Sequence, residues 1–341
     1  MTKIEKCLLC GDTAVLKHSE FPGYQEPDTF KIYHCQNCNT AFSLPRVETN
    51  EIYDKIYKNA QQIPGYDRYW EYAQHIKKSS NPLEYLAKKE DVYWGVKEAL
   101  SSIFKENKSP IKILEIGSGL GYLTFSLIKS GYDVIGLDIS QKAVNKSIEN
   151  FGEYFICCDL FEYSQLHSES FDIVIITEVI EHIAKPLDFI ESTIKLLKQD
   201  GQIIITTPNK SFCPLNIIWA TDLPPVHCWW FSEDSMKYIS KRLNTNIRFI
   251  NFRKYYKSNY RVINLKPLLN NQLPKYFFDK NGDLIRKSTL TNKTLKTHLR
   301  FLITQTPFVN KIYFNLKKMI NPNIIICKDR GCVLCAILQK L

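Results

Sequence analysis

Three glycines and one aspartate in the stretch 112–140 have types and spacings that could bind a nucleoside. Gly117, Gly119 and Gly121 follow a short apolar run and precede apolar residues at helical spacing, which predicts a strand, a glycine loop and a helix. Glycines allow a positive φ and a close approach of a ligand to the main chain. Asp138 ends the next predicted strand, about twenty residues after the glycines, where a nucleotide-binding βαβ unit holds a ribose.

Four cysteines near the N terminus form two Cys-x-x-Cys pairs, Cys7 with Cys10 and Cys35 with Cys38. Each pair can supply two thiolates, and two pairs complete a tetrahedral Zn²⁺ without an open position. About 35 residues cannot build a core without such a staple, so a small structural zinc ribbon is predicted. A redox-active pair is the alternative, although it does not account for the second pair.

The strands that must position the glycine loop follow the order of a doubly wound α/β sheet. A helix over 83–104 is predicted to cover this sheet, and another helix follows Pro186. The predicted strands comprise residues 112–116, 132–137, 154–158, 171–177, 202–207, 249–255 and 331–340.

The fourth predicted strand ends at Thr177 and runs into Glu178-Val-Ile-Glu181-His182. Ligands of doubly wound folds bind at the carboxyl ends of the strands, so the chemistry is expected here. If a helical turn begins at this point, the two glutamates and the histidine share one face. A later loop carries His227 and is placed to cover the site.

Charge and composition bound the remaining possibilities. The chain of 341 residues carries a formal net charge of +10. The basic character lies in 251–341, which could meet nucleic acid, an anionic membrane surface or a phosphorylated substrate, or could be a solvated face. The N terminus has no apolar signal region and no apolar run approaches about twenty residues, so a cytoplasmic protein is expected.

Two segments outside the predicted sheet remain open in function. The stretch 44–81 is rich in aromatic residues, which could pack the ribbon on the next domain or wall a sugar or nucleoside site. The segment 256–323 predicts two amphipathic helices that could shape an acceptor pocket, lie on a membrane or simply pack. The aromatic residues are Tyr53, Tyr57, Tyr66, Tyr69, Trp70 and Tyr72.

Glu-x-Gly-x-Gly-x-Gly with an acidic end to the next strand resembles motif I of the class I S-adenosylmethionine-dependent methyltransferases. The resemblance implies a seven-stranded Rossmann-like sheet with the ribbon before it and a helical insertion near the C terminus. It implies that the three glycines border the methionine and ribose, that Asp138 holds the ribose and that Asp159 holds the adenine amino group. The cofactor-binding residues implied in addition are Glu115, Ile139, Leu160 and Thr177.

The ribbon followed by an aromatic link and this core resembles methyltransferases of bacterial surface-polysaccharide and other glycan pathways, which implies a sugar hydroxyl as acceptor. The segment 178–182 also resembles the metal-binding segment of ubiquinone-pathway O-methyltransferases and of small-RNA 2′-O-methyltransferases. That likeness implies Mg²⁺ or Mn²⁺ at Glu178, Glu181 and His182, with His227 as a further ligand. Without a metal, His182 or His227 is the candidate base, and Glu178 stands with them as a candidate catalytic residue.

These observations predict an enzyme that methylates a glycan, sugar-nucleotide or lipid-linked sugar hydroxyl. An RNA or quinone-precursor methyltransferase is the alternative, with peripheral membrane contact through the basic helices as a further expectation. A non-enzymatic assembly module is a third reading, which the intact glycines and Asp138 disfavour. The predicted division is a ribbon (1–48), a linker with a covering helix (49–109), the methyltransferase core (110–255), a basic insertion (256–325) and the last strand (326–341).

Overall fold

The computed structural model describes residues 4–103, 111–212, 221–259, 261–264, 273–287, 312, 315–316, 318–321 and 324–341. Its strands are β1 (Ile4–Lys6), β2 (Thr13–Pro22), β3 (Thr29–Cys35), β4 (Ala41–Leu44), β5 (Lys112–Ile116), β6 (Asp133–Asp138), β7 (Phe155–Cys157), β8 (Phe171–Thr177), β9 (Leu197–Pro208), β10 (Trp229–Trp230), β11 (Thr245–Phe249), β12 (Val262–Asn264), β13 (Ile324–Ile326) and β14 (Val333–Lys340). Its helices are α1 (Asn50–Asn59), α2 (Asp67–Ile76), α3 (Pro82–Lys89), α4 (Asp91–Ile103), α5 (Tyr122–Lys129), α6 (Gln141–Phe151), α7 (Leu160–Leu166), α8 (Pro186–Leu196), α9 (Glu233–Arg242) and α10 (Arg253–Ser258).

The main sheet has seven strands in the order β11-β14-β9-β8-β5-β6-β7. The neighbours from β9 to β7 are parallel, whereas β14 runs antiparallel to both β9 and β11. This arrangement confirms the predicted α/β class with a seven-stranded Rossmann-like sheet.

Both faces of this sheet are buried, because consecutive residues of a strand point to opposite sides. Ile173 and Ile175 of β8 pack in one core with residues of α3, α4 and α5. Val174 and Ile176 pack in a second core with residues of α7, α8 and α9. A strand covered on both faces needs a continuous apolar sequence, which is why 173–176 has no polar residue.

A second sheet, which we call the N-terminal sheet, has the order β1-β2-β3-β4-β10 and is antiparallel. Its last strand comes from the segment that follows β9. Trp229 pairs with Phe42 of β4, and the two rings lie 5.8 Å apart between centroids. The N-terminal sheet is therefore hydrogen-bonded to a loop of the main α/β unit.

Two predicted elements differ from the structure. The helix expected over 83–104 is two helices, because Glu90 between α3 and α4 has an extended backbone (φ −139°, ψ 147°). The prediction of a strand over 249–255 was wrong in position. The strand there, β11, ends at Phe249, and α10 begins at Arg253. The side chain of Asn251 accepts a hydrogen bond from the backbone N–H of Arg253 (2.9 Å), and this local turn leads into α10 in place of further strand.

The predicted helical insertion lies largely outside the described residues, including Leu295, Leu299, Leu302 and Ile303. Residues 312, 315–316 and 318–320 are helical, and the insertion is bracketed by the antiparallel pair β12 and β13. In the part of the chain that the structure describes, no helix has the length and apolar character needed to span a bilayer. The domain boundaries given above stay predictions.

Candidate functional site

The glycine loop lies between β5 and α5, and all three glycines have positive φ, at +73° for Gly117, +52° for Gly119 and +77° for Gly121. A Cβ on Gly117 would lie 2.4 Å from Val179 Cγ2, and one on Gly121 would lie 2.5 Å from the Phe155 ring. Both positions are therefore closed by packing. A Cβ on Gly119 would meet no atom of the described residues within 4 Å, so among these residues this glycine borders open space.

Asp138 fastens the end of β6 to this loop. Its Oδ2 accepts from the backbone N–H of Gly119 (2.8 Å), and its Oδ1 accepts from that of Ser140 (2.8 Å). The side chain is 9% exposed, and burial raises the pKa of its carboxyl. Ile139 next to it is 74% exposed, an unusual state for a large apolar residue. The open face beside Gly119 is thus flanked by a fixed carboxylate and an uncovered apolar side chain.

Glu115 lies beneath the loop and does not line its open face. It is 2% exposed in β5, and Oγ1 of Thr124 in α5 donates a hydrogen bond to its Oε2. Burial raises the pKa of its carboxyl to about 8. The contact ties the strand before the loop to the helix after it, which is a positioning role.

The other predicted cofactor residues surround the same edge of the sheet. Asp159 caps α7, since its Oδ1 accepts from the N–H of Phe161 (2.7 Å), and Leu160 is 5% exposed. Thr177 is the last residue of β8. Ser118, which the sequence did not single out, is 5% exposed, and its Oγ has no partner among the described residues. An unpaired hydroxyl, a bare Gly119 and a fixed Asp138 fit a nucleoside with a polar tail.

A second cluster lies where β8 ends. Glu181, His182 and His227 each offer one ligand atom, and these atoms all lie within 4.8 Å of one another. His182 Nδ1 is 2.8 Å from the carbonyl oxygen of Val226, which assigns the proton to Nδ1 and leaves Nε2 with a lone pair. Glu181 Oε2 accepts from Thr207 Oγ1 (2.9 Å), while its Oε1 lies 3.9 Å from His182 Nε2. Hydrogen bonds with the carbonyl oxygen of Val226 and with the hydroxyl of Thr207 thus orient the side chains of His182 and Glu181.

Several polar atoms of this region are buried without a hydrogen-bond partner in the described part of the chain, namely Glu178 Oε1, Glu181 Oε1 and His227 Nδ1. Buried polar atoms are rarely left unpaired, because their desolvation is not compensated. Burial lowers the pKa of both histidines to about 3, so both are neutral near pH 7, and it raises that of Glu181. One carboxylate and two neutral imidazoles suit a divalent cation.

Glu178 differs from its predicted arrangement. The helical turn is a short 3-10 turn that begins at Ile180, and Glu178 before it has a left-handed backbone (φ +54°). Its N–H still donates to the carbonyl oxygen of Thr206 (3.0 Å), so the strand pairing continues one residue beyond β8. Glu178 therefore does not share a helical face with Glu181 and His182, and it is not in the group of mutually close ligand atoms.

The group of Glu181, His182 and His227, which we call the cation cluster for the ion it could hold, lies beside the glycine loop. Val179, in the turn between Glu178 and Glu181, is the residue that a Cβ on Gly117 would contact. The two sites are therefore neighbours across one edge of the main sheet.

One tyrosine of α1 lies beside the cluster, and other tyrosines pack at the start of α2 and in the turn between β2 and β3. The Tyr53 ring lies 6.4 Å from that of His182, and Tyr66 and Tyr69 pack edge to face at 6.0 Å. Tyr24, in the turn between β2 and β3, stacks on Phe277 at 4.9 Å. The aromatic link thus takes part in packing, and its predicted role as the wall of a sugar or nucleoside site stays a prediction.

The four N-terminal cysteines lie together in the turn before β2, at the end of β3 and in the turn that follows β3, with all Sγ atoms within 4.8 Å of one another. Sγ of Cys7 is 3.6 Å from that of Cys38, and Sγ of Cys10 is 3.5 Å from that of Cys35. Thiolates at Zn–S bonds of about 2.3 Å in a tetrahedron lie about 3.8 Å apart. The cluster therefore fits zinc, and zinc itself stays a prediction.

Two further charged residues, Asp222 and Arg68, lie near the cluster of Glu181, His182 and His227, and little in the sequence singled them out. Asp222 is 6% exposed in the loop that carries His227, and its Oδ2 has no partner among the described residues. Arg68 of α2 pairs with Glu90 (Nε to Oε1, 3.0 Å). Burial raises the pKa of Asp222 to about 7 and that of Glu178 to about 8, and the positive charge of Arg68 opposes both shifts. A loop acid five residues before a candidate histidine was the one available signal.

Comparison with known proteins agrees with this geometry. Residues 89–248 match the family described as "Methyltransferase domain". The match covers a little under half of the chain and supports the S-adenosylmethionine-dependent methyltransferase class. It includes the glycine loop, Asp138 and the segment 178–182, and it ends before β14.

Curated relatives are similar over a shorter length. A protein named "Ubiquinone biosynthesis O-methyltransferase" from Actinobacillus pleuropneumoniae serotype 7 is 30% identical over 109 residues, which are 29% of this chain and 47% of that protein. The mitochondrial protein of that name from Bos taurus is 37% identical over 111 residues, 30% of each chain. The chain thus spans less than half the length of these relatives. A solved S-adenosylmethionine-dependent methyltransferase from Archaeoglobus fulgidus has a TM-score of 0.42 at 16% identity, over 72% of this chain and 93% of its own.

Proposed function

We propose that this protein is an S-adenosylmethionine-dependent O-methyltransferase that methylates a hydroxyl of a sugar or glycan. One observation carries the proposal. Glu181, His182 and His227 bring mutually close and partly unpaired ligand atoms to the edge of the sheet that also holds the glycine loop. Neighbouring hydroxyls of an acceptor are natural partners for a divalent ion held by such a group.

The glycine loop would hold the methyl donor. Gly119 leaves the main chain bare, and Asp138 is fixed by two backbone N–H groups with lone pairs left to accept ribose hydroxyls. When bound, S-adenosylmethionine supplies an already activated methyl group. The protein's contribution is then mostly to align the methyl donor with the acceptor hydroxyl. Val179 lies against Gly117, so the donor site and the acceptor site are adjacent.

The acceptor hydroxyl must lose its proton when it takes the methyl group. The two histidines are poorly suited to remove this proton directly. Burial lowers the pKa of His182 and His227 to about 3, whereas an efficient general base has a pKa near the working pH. Neutral imidazoles are good metal ligands, and a divalent ion held here would lower the pKa of a bound hydroxyl, so that its proton could pass to solvent water as the oxygen takes the methyl group and S-adenosylhomocysteine leaves. These properties favour the Mg²⁺ or Mn²⁺ hypothesis over the histidine-base hypothesis.

The tyrosine wall supports a ring-shaped polyol as acceptor. The ring of a tyrosine presents an apolar face to a ligand, while its hydroxyl group can form a hydrogen bond with a polar group at the edge of that ligand. The Tyr53 ring lies beside His182, and the hydroxyl of Tyr24 donates to the carbonyl oxygen of Thr221 in the segment that leads to His227. The acceptor would be a sugar nucleotide, a lipid-linked sugar or a glycan end.

A quinone-precursor phenol is the second candidate function. The relatives that match this chain carry the name "Ubiquinone biosynthesis O-methyltransferase", and a catechol would use the same cation cluster. An RNA 2′-hydroxyl is a third acceptor for that chemistry. RNA recognition would depend on the basic C-terminal block and would weaken steeply with salt.

A transfer screen tests the proposal. Purified protein is incubated with methyl-labelled cofactor and sugar nucleotides, glycan fragments, catechols or small RNAs. Each reaction is run as purified, after brief chelation, and after separate return of Zn²⁺, Mg²⁺ or Mn²⁺. Transfer to sugar hydroxyls that Mg²⁺ or Mn²⁺ restores, while Zn²⁺ alone does not, is the expected result.

Two variants complete the test. Glu181→Gln should lower transfer at least about 100-fold, since removal of one ligand of a charged site costs several kcal/mol. Glu191→Gln, on the exposed face of α8, is the matched control and should behave like wild type. Full transfer by Glu181→Gln would remove the cation cluster from the mechanism, and transfer only to catechols or RNA would replace the sugar acceptor.

A further inference from the structure

We propose that Asp222 binds the acceptor through a pair of neighbouring hydroxyls that are not methylated. This inference rests on the function proposed above and assigns the part of the acceptor that the cation cluster does not hold. Asp222 would be a specificity-determining residue.

The carboxylate of Asp222 is held from one side. Its Oδ1 accepts from Thr221 Oγ1 (2.9 Å), and the Thr221 carbonyl oxygen accepts from the hydroxyl of Tyr24 (3.5 Å). The methyl group of Thr221 lies 3.7 Å from the position of a Cβ on Gly65, just before α2. The N-terminal sheet and the start of α2 thus fix the position of Asp222.

The same loop also builds the cation cluster. The N–H of His227 donates to the carbonyl oxygen of Leu223 (2.9 Å), and Val226 accepts from the His182 ring. Asp222 therefore lies in the loop that carries His227 and that accepts the hydrogen bond from the His182 ring.

The charged and titratable groups around Asp222 do not neutralise it. Glu178 and Glu181 are acids, and Tyr24 is a buried phenol whose pKa is raised. Arg68 is the nearby cation, but its guanidinium already contacts Glu90 and the Tyr69 hydroxyl (3.1 Å). Among the described residues, Asp222 forms no ion pair within 4.0 Å, and its Oδ2 stays unpaired.

A buried carboxylate with an unpaired oxygen is a poor choice for packing alone, since leaving it unpaired costs stability. An ionised carboxylate accepts hydrogen bonds through two oxygens, and two vicinal hydroxyls can donate to it together. Nearby tyrosines would bound the ring that carries those hydroxyls. A sugar diol is therefore the ligand chemistry that fits, with the methylated hydroxyl at the cation cluster and the diol at Asp222.

The test compares wild type with Asp222→Asn in steady-state transfer to the acceptor found in the screen. We expect KM for the acceptor to rise about 10- to 100-fold, as for a lost hydrogen bond to a charged group, with kcat changed less than about threefold. Binding of Mn²⁺ and of S-adenosylhomocysteine should be unchanged. Asp188→Asn, exposed on α8, is the control.

Stability separates recognition from a structural role. Because Asn removes a buried charge without changing shape, Asp222→Asn should melt at the wild-type temperature or above, whereas a structural carboxylate would make it melt lower. Acceptor analogues that lack one hydroxyl of the diol should lose affinity for wild type but not for Asp222→Asn. An active variant with unchanged KM, or a fully retained analogue penalty, would overturn the assignment.

The two proposals fail differently. If wild type transfers no methyl group to sugars, the proposed function fails, and binding of unlabelled sugars measured by calorimetry still decides the role of Asp222. Equal sugar affinity of wild type and Asp222→Asn, or no binding by wild type, would then reject it.

Discussion

Replacement of Gly119 by alanine separates cofactor binding from folding. Gly119 has φ +52°, and a Cβ there would meet no protein atom within 4 Å. Without ligand, the variant should therefore lose only about 1–2 kcal/mol of the free energy of unfolding, which is the cost of an alanine in the left-handed conformation. The same Cβ would project into the space assigned to the methyl donor.

The effect on binding can be worked out from this geometry. Adding a methyl group to a filled site costs about 1–3 kcal/mol, which corresponds to a roughly 5- to 150-fold rise in Kd. At a ligand concentration of about 100 times Kd, binding stabilises a protein by about 2.7 kcal/mol. A 100-fold weaker Kd would leave about 0.4 kcal/mol, so most of the ligand-induced rise in Tm would disappear.

Gly131→Ala is the matched control for this assay. Gly131 ends the turn after α5 with φ +92°, and a Cβ there also meets nothing within 4 Å. Both variants should lose similar stability without ligand, and only Gly119→Ala should lose its Tm shift with S-adenosylhomocysteine. An equal shift in both variants would refute the assignment of the open face of the loop to the cofactor.

Three further predictions concern single groups of the two sites. Glu115→Gln should flatten the pH dependence of stability. The folded pKa is about 8 against about 4.3 unfolded, so wild-type stability falls between these values as pH rises, by at most about 1.4 kcal/mol per unit. Urea unfolding at pH 5 to 8 measures the slope, and an unchanged slope would contradict the buried ionisation. Asp138→Asn should weaken S-adenosylhomocysteine binding about 10-fold or more in calorimetry, because an amide NH2 in place of Oδ2 cannot accept from the N–H of Gly119. Wild-type affinity of this variant would exclude a role of Asp138 in ribose binding. Cys38→Ser should reduce zinc content in elemental analysis and lower Tm, and full zinc retention would argue against the four-cysteine site.

Local sequence patterns predicted the centre of the fold well. The strand before Gly117, the strand ending in Asp138 and the apolar run 171–177 lie within a residue or two of their predicted bounds. Each is fixed by its own composition, because a strand buried on both faces needs continuous apolar residues and glycine loops need positive φ. The two cysteine pairs were equally readable from spacing alone.

What the sequence did not reveal depends on contacts between distant segments. The strand at 249–255 was misplaced because its apolar pattern continues past Phe249, while the structure turns at Asn251 and begins α10 at Arg253. Glu178 left its expected face because pairing with β9 extends through it before a left-handed turn. The partner of β4 is a two-residue strand, too short to carry a periodicity of its own.

That short strand links the predicted zinc site to the candidate acceptor site. The N–H of Ser43 in β4 donates to the Cys228 carbonyl oxygen (3.1 Å), and the N–H of Cys228 donates to that of Glu181 (3.0 Å). Indole Nε1 of Trp229 donates to the Ile183 carbonyl oxygen (2.8 Å). Backbone hydrogen bonds of this kind fix positions within a few tenths of an ångström, so the N-terminal sheet sets where the turn 180–183 lies. Through β4 and Cys228, the N-terminal sheet that carries the four cysteines is therefore hydrogen-bonded to the turn that carries Glu181 and His182, and Val179 of the same segment lies against Gly117 of the glycine loop.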